Sequence, residues 1–211
     1  MVVMIHGLGD SKNIFKPLWR KAIGEGFWAA AVNYPSIRKD LFYHSKQIDF
    51  LINNMEDIQE ISFVTVGTGG IVLRKLLSFN SSWQKRLPIQ KIVQISPPNS
   101  GYKIFELLSS IGFRWIFGPM PKELTPKNIS KVPLFKKGLT VGVIYANYPF
   151  YNVLRHLPPI IRKILPNTKD VDIPGITEKV QIKNRHDNPL KNRRIVAATL
   201  NFIKKGKFAG N

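Results

Sequence analysis

Six short apolar runs separated by amphipathic stretches constrain this chain more than any other feature. Val2 to Ile5 is unbroken apolar sequence that stops at His6-Gly7, and comparable runs cover 27–34, 61–66, 91–96, 139–146 and 179–183. Runs of this length without in–out alternation suit strands buried on both faces, and their spacing suits βαβ units around a mostly parallel sheet. The intervening stretches read as helices. Residues 14–25 can place Leu18, Trp19 and Ile23 on one face before Gly26 closes the helix, and Asp40 caps a helix expected to turn Leu41, Ile48, Leu51 and Ile52 inward. A helix over 71–77 follows Gly67-Thr68-Gly69-Gly70, and a last one spans 189–205. The expectation is an α/β fold of about six strands with helices on both faces.

Between the fourth and fifth strands lies an insertion, 99–138, with Phe105, Leu107, Leu108, Ile111, Phe113, Trp115, Ile116 and Phe117. These residues look exposed, as a helical lid over an apolar ligand would require, with Phe105, Leu108 and Trp115 as candidate ligand contacts. Packing of an extra helix into the core accounts for them equally well. Pro149, Pro158, Pro159, Pro166 and Pro174 make 148–174 irregular. At 211 residues the chain suits one domain, 1–211, with 99–138 as its lid-like part.

Composition narrows the function classes. Without cysteine there is neither a disulfide framework nor a thiolate metal site, and no His, Asp and Glu cluster has ligand spacing, so no metal or cofactor is expected. No run is long enough to span a bilayer, and residues 1–5 enter a motif with no charged leader, so a cytoplasmic location is expected, with peripheral membrane association as a variant. The net charge of +19 raises nucleic acid or an anionic membrane as partners. The basic residues are spread over the whole chain and no nucleic-acid motif accompanies them, which disfavours specific nucleic-acid binding. They are densest at Lys183, Arg185, Lys191, Arg193, Arg194, Lys204, Lys205 and Lys207, where an electrostatic docking surface is expected.

Ordered motifs add a family resemblance. Val3-Met4-Ile5-His6-Gly7-Leu8-Gly9 is followed by Asn33-Tyr34-Pro35-Ser36, by Val64-Thr65-Val66-Gly67-Thr68-Gly69-Gly70-Ile71, and by Ser96-Pro97-Pro98-Asn99-Ser100-Gly101. Phe117-Gly118-Pro119, Gly142-Val143-Ile144 and the segment 201–208 continue the order across nearly the whole chain. The series resembles the bacterial lipase-like α/β hydrolases, relatives of triacylglycerol lipases and GPI inositol-deacylase-like serine esterases. The resemblance implies an α/β-hydrolase fold, an acyl ester or lipid as ligand, and a Ser-His-acid triad.

The triad is where this chain departs from the family. The resemblance places the nucleophile in a G-x-S-x-G turn between third strand and following helix, and here that turn is Thr65-Val66-Gly67-Thr68-Gly69, with Gly67 in the serine place. Glycine has no attacking atom, but it suits the positive φ of such a turn. The amides of Thr68 and Leu8 stand at the oxyanion-hole positions, with the Thr68 side chain expected to point away from the substrate. His186 stands at the base position. The Asp-Gly pair that would mark the orienting acid is missing; Asp170 or Asp172 could replace it, or both could be solvated turn residues, the reading favoured here. His6 is expected to be structural, and His44 and His156 have no catalytic context. The favoured reading is an impaired hydrolase that keeps a lipid-binding cleft. The alternatives are an active ester or lipid hydrolase with Thr68 or Ser96 as displaced nucleophile and His186 as base, and a basic module docking on membrane or nucleic acid.

Overall fold

The computed structural model describes residues 1–102, 105–106, 118–146 and 173–208. Six strands form one sheet: β1 (Val2–Ile5), β2 (Ala29–Val32), β3 (Ile61–Val66), β4 (Ile89–Ile95), β5 (Thr140–Ala146) and β6 (Glu178–Ile182). Their order is β2-β1-β3-β4-β5-β6, and every pairing is parallel. The described helices are α1 (Lys16–Gly24), α2 (Leu41–Asn53), α3 (Gly69–Leu77), α4 (Ser82–Arg86), α5 (Met120–Glu123), α6 (Pro126–Ile129) and α7 (Arg193–Lys205), with 3-10 turns at Lys12–Phe15 and Pro189–Lys191. The α/β fold expected from the apolar runs is the one observed.

Period-two alternation in the strands divides the core into two layers. Ile5 of β1 and Ile61 and Phe63 of β3 face α2, α3 and α4, where they meet Ile48, Ile52, Ile71, Leu76 and Trp83. Met4, Val64 and Val66 face the other way, onto Leu18 and Ala22 of α1 and onto Ile195, Leu200 and Phe202 of α7. All six residues of β3 are buried, Ser62 and Thr65 included, as a central strand covered on both faces requires. Asp40 caps α2, its carboxylate accepting the Tyr43 N–H at 2.7 Å, as its place before the periodic stretch predicts.

Three details differ from expectation. Leu51 does not face inward: it is 39% exposed, because the buried arc of α2 is centred on Leu41, His44, Ser45, Ile48 and Ile52, and Leu51 falls outside it. Trp19 and Ile23 likewise do not share the buried face of Leu18, whose neighbour one turn on is Ala22; the Trp19 indole N–H instead donates to the Ala29 carbonyl of β2 at 3.0 Å. Of the two readings left open for the insertion, Phe105 follows core packing: it is buried against Tyr102, ring centroids 5.4 Å apart. The short α4 was not expected; it seats Trp83, fully buried, whose indole N–H donates to Asp49 at 2.8 Å. Leu108, Trp115, His156, Asp170 and Asp172 lie outside the described residues. No described helix is long and apolar enough to cross a membrane.

Candidate active site at the strand ends

A parallel sheet sends the carboxyl ends of all its strands to one edge, so the turns after β1, β3, β4 and β6 gather there. The turn after β1 is built around His6. Its ring is buried, stacked on Tyr34 with centroids 4.2 Å apart; Nδ1 lies 2.9 Å from the Gly7 carbonyl, while Nε2 accepts the Tyr34 N–H at 3.4 Å. The Tyr34 hydroxyl donates to the His6 carbonyl. With Nε2 required as an acceptor, the neutral ring with its proton on Nδ1 is the form that fits, so His6 positions the turn.

Burial pulls the His6 pKa down to about 4, and the nearby His44, itself lowered mainly by burial, adds to the effect. The sign follows from linkage. The unfolded imidazole takes a proton near its ordinary value of 6.5 while the folded one resists, so stability is complete above that pH and falls as pH drops toward 4. The loss between neutral pH and pH 4.5 is expected to be on the order of 2–3 kcal/mol. Urea midpoints at the two pH values check this: a His6→Gln variant should show a markedly shallower dependence, and an unchanged slope would remove His6 as the cause.

The turn after β3 holds Gly67, buried at φ +56 in the left-handed region, with its N–H donating to the Ile95 carbonyl at 2.9 Å. The chain then enters α3 directly, the Ile71 and Val72 amides donating to the Thr68 carbonyl. The strand thus passes into the helix through one sharp turn, whose left-handed residue carries no side chain.

Thr68 differs from expectation. Its hydroxyl is not turned away: Oγ1 accepts the Leu8 N–H at 2.7 Å, and Thr68 is 1% exposed. One of the two backbone donors assigned to the oxyanion hole is therefore already engaged by a neighbouring side chain. Ser96 is also committed. Its backbone has φ +49, and its Oγ donates to the Ala146 carbonyl at 2.5 Å and accepts the Ala146 N–H at 3.2 Å, extending the β4–β5 ladder.

His186 lies in the loop after β6, which is separated from β3 by two strands, β4 and β5. Asn184 fixes its backbone, donating from Nδ2 to the His186 carbonyl at 2.8 Å and accepting the His186 N–H at 3.2 Å. The imidazole is exposed and makes no hydrogen bond to a described residue. Thus Gly67, Thr68 and Leu8 are brought together, and His186 lies at the same sheet edge, its described hydrogen bonds made to Asn184.

Sequence reasoning missed a buried polar group beside this turn. Gln94 of β4 pairs with Thr65 of β3, and its Oε1 accepts from Asn99 Nδ2 at 3.5 Å. Thr65 Oγ1, Gln94 Nε2 and Asn99 Oδ1 are buried with no partner among the described residues. Such groups carry a desolvation cost, and together they give the floor of this edge unused hydrogen-bonding capacity. The available signal was one glutamine inside the apolar run Ile92-Val93-Gln94-Ile95. No three His, Asp or Glu side chains among the described residues are grouped so that they could hold a metal ion.

Six parallel strands in this order, with a tight turn after β1 and a left-handed strand-to-helix turn after β3, define the α/β-hydrolase fold. Solved structures of lipases and esterases share it. The mature form of the Bacillus licheniformis lipase BlEst2 superposes with a TM-score of 0.71 at 15% identity, over 98% of this chain and 91% of that one. Against the propeptide form this chain spans 50% of the partner's length. The metagenomic carboxyl esterase MGS0156 gives 0.65 at 15% identity, covering 84% of this chain and 61% of that one. A structure from work on carboxylesterases of the thaumarchaeon Nitrososphaera gargenis gives 0.62 at 11% identity, over 97% and 90% of the two chains. At these identities the likeness is one of fold. No family model matches the sequence, and no curated protein matches it.

Proposed function

We propose that this chain is a hydrolase-fold protein impaired in ester cleavage that keeps a cleft for a lipid or acyl ester. The observation that carries the reading is Gly67, in left-handed conformation at the strand-to-helix turn where a serine hydroxyl would otherwise stand. Removing the serine of such a triad lowers turnover about a millionfold, while oxyanion stabilisation and binding leave on the order of a thousandfold over water. Here even that residue of catalysis is reduced, since the Leu8 amide donates to Thr68 Oγ1.

The displaced-nucleophile alternatives lose support from the same hydrogen bonds. A nucleophile needs a base within reach of its proton and a path to the substrate carbon. Thr68 and Ser96 are buried, and their oxygens serve the Leu8 and Ala146 backbones. The lipid or acyl ligand is carried over from the fold's solved members, which are lipases and esterases. Phe105 is packed in the core against Tyr102, so the ligand contacts proposed on the insertion rest on Leu108 and Trp115.

The purified protein is expected to hydrolyse short p-nitrophenyl esters at a rate indistinguishable from that of His186→Ala, and to take no label from a fluorophosphonate probe. Labelling at a defined side chain, or turnover abolished by His186→Ala, would overturn the impaired reading.

A further inference from the structure

The outward side of α2 carries residues that an ordinary solvent-facing helix does not. Phe42, Tyr43, Lys46 and Phe50 fall within an arc of about 100° on a 3.6-residue helix, opposite the buried arc of Leu41, His44, Ile48 and Ile52. Phe42 is 53% exposed, Tyr43 48% and Phe50 67%, so three aromatic rings stand in solvent along one stripe. Ammonium groups surround them. Lys39 lies 5.3 Å from the Tyr43 centroid, and Lys46 and Lys75 each lie 5.9 Å from that of Phe42. The same two lysines sit over Phe79, at 4.4 and 5.9 Å.

The carboxylates of α2 offset this charge in part, through the pairing of Asp49 with Lys46. Asp40 caps the helix, and Asp49 is buried under the Trp83 indole with Lys46 at 3.9 Å. Acidic side chains also approach from outside α2: Glu123 of α5 lies close enough to interact with Lys75 and Asp40, and Glu56, Asp57 and Glu60 follow the helix end. The stripe starts near the insertion, because the Gly118 backbone packs against the Ile37 carbonyl just before α2.

We infer that this aromatic and basic face of α2 docks the protein on an anionic lipid surface. Rings at headgroup depth with lysines reaching to lipid phosphates are the arrangement by which a helix lies in a membrane interface. A second copy of the chain is a poor occupant: at a net charge of +19, a two-fold contact would press lysine on lysine. A single-stranded nucleic acid is a poor one too, since stacking bases need open ring faces and the lysines already cover those of Phe42 and Tyr43. The inference does not depend on whether the hydrolase site is active.

Cosedimentation of the full chain with vesicles tests it. The wild type should bind phosphatidylglycerol/phosphatidylcholine vesicles at low salt, bind phosphatidylcholine alone weakly, and detach as salt rises. Phe42→Ala/Phe50→Ala should lower partitioning at least tenfold with circular dichroism and melting unchanged; Phe50→Glu alone is a second probe of the same face. Lys39→Gln/Lys46→Gln/Lys75→Gln should lower it about a hundredfold, near fivefold per lysine. Arg193→Gln/Arg194→Gln, on the exposed basic end of α7, should change it less than threefold. The inference is overturned if the wild type ignores anionic vesicles or if the aromatic variants bind undiminished. It is equally overturned if those variants abolish self-association or oligonucleotide retention while vesicle binding persists.

Discussion

Gly69→Ala is expected to destabilise the fold by about 3 kcal/mol or more, enough to make a marginal domain largely unfolded at physiological temperature. A β-carbon on Gly69 would stand 2.3 Å from the Ile5 carbonyl oxygen and 2.7 Å from that of His6. Neither oxygen can yield easily, because β1 is paired on both sides, with β2 and β3. The helix cannot yield easily either, since eight of the nine residues of α3 are buried. Denaturant unfolding measures the cost, with Gly24→Ala at the end of α1 as control: its β-carbon meets nothing, so it should be neutral or stabilise by about 0.5–1 kcal/mol. A cost below about 1 kcal/mol for Gly69→Ala would mean that α3 does not approach β1 as closely as described.

The second large effect concerns chemistry. Gly67→Ser restores an attacking oxygen but leaves the Leu8 amide donating to Thr68 Oγ1, so on its own it is expected to give weak esterase activity. Adding Thr68→Ala frees that amide to face a developing oxyanion. One such donor is worth about 100- to 1000-fold in turnover, so the double variant should exceed the single one by that order. The serine at φ +56 should cost on the order of 1–2 kcal/mol in stability, so both variants are compared at a temperature where each is folded. Equal activity in the two would show that Leu8 contributes nothing to the oxyanion site. Activity in neither would place the remaining defect at His186 or its acid partner.

The Thr68–Leu8 hydrogen bond shows where sequence reasoning stopped. Thr68 and Leu8 lie sixty positions apart, and nothing in either local pattern says whether the threonine hydroxyl points toward the strand edge or away from it. The answer depends on how α3 settles against the turn after β1, a packing event among residues already known to be there. The same reason covers Leu51 and Phe105. Both are apolar and lie beside apolar residues, but exposure is decided by the width of the buried arc of α2 and by the space between Tyr102 and the core. The α2 face could have been noticed, since Phe42, Tyr43, Lys46 and Phe50 share a helical arc; what the sequence lacks is the clustering of Lys75 and Phe79 from α3 and its end around them.

The sequence by itself determined the order of the strands along the chain, the parallel sheet, and a glycine in the turn after the third strand. Those properties follow from local periodicity, from burial on two faces, and from motif spacing, all of which are written along the chain. Tertiary structure alone decided that Thr68 occupies the Leu8 amide, that Ser96 Oγ joins the sheet ladder, and that the aromatic rings of α2 face solvent under a cover of lysines. The Thr68–Leu8 and Ser96–Ala146 hydrogen bonds and the approach of Lys75 to Phe42 join segments distant in the chain, set by which surfaces the folded backbone brings within a few ångströms of one another.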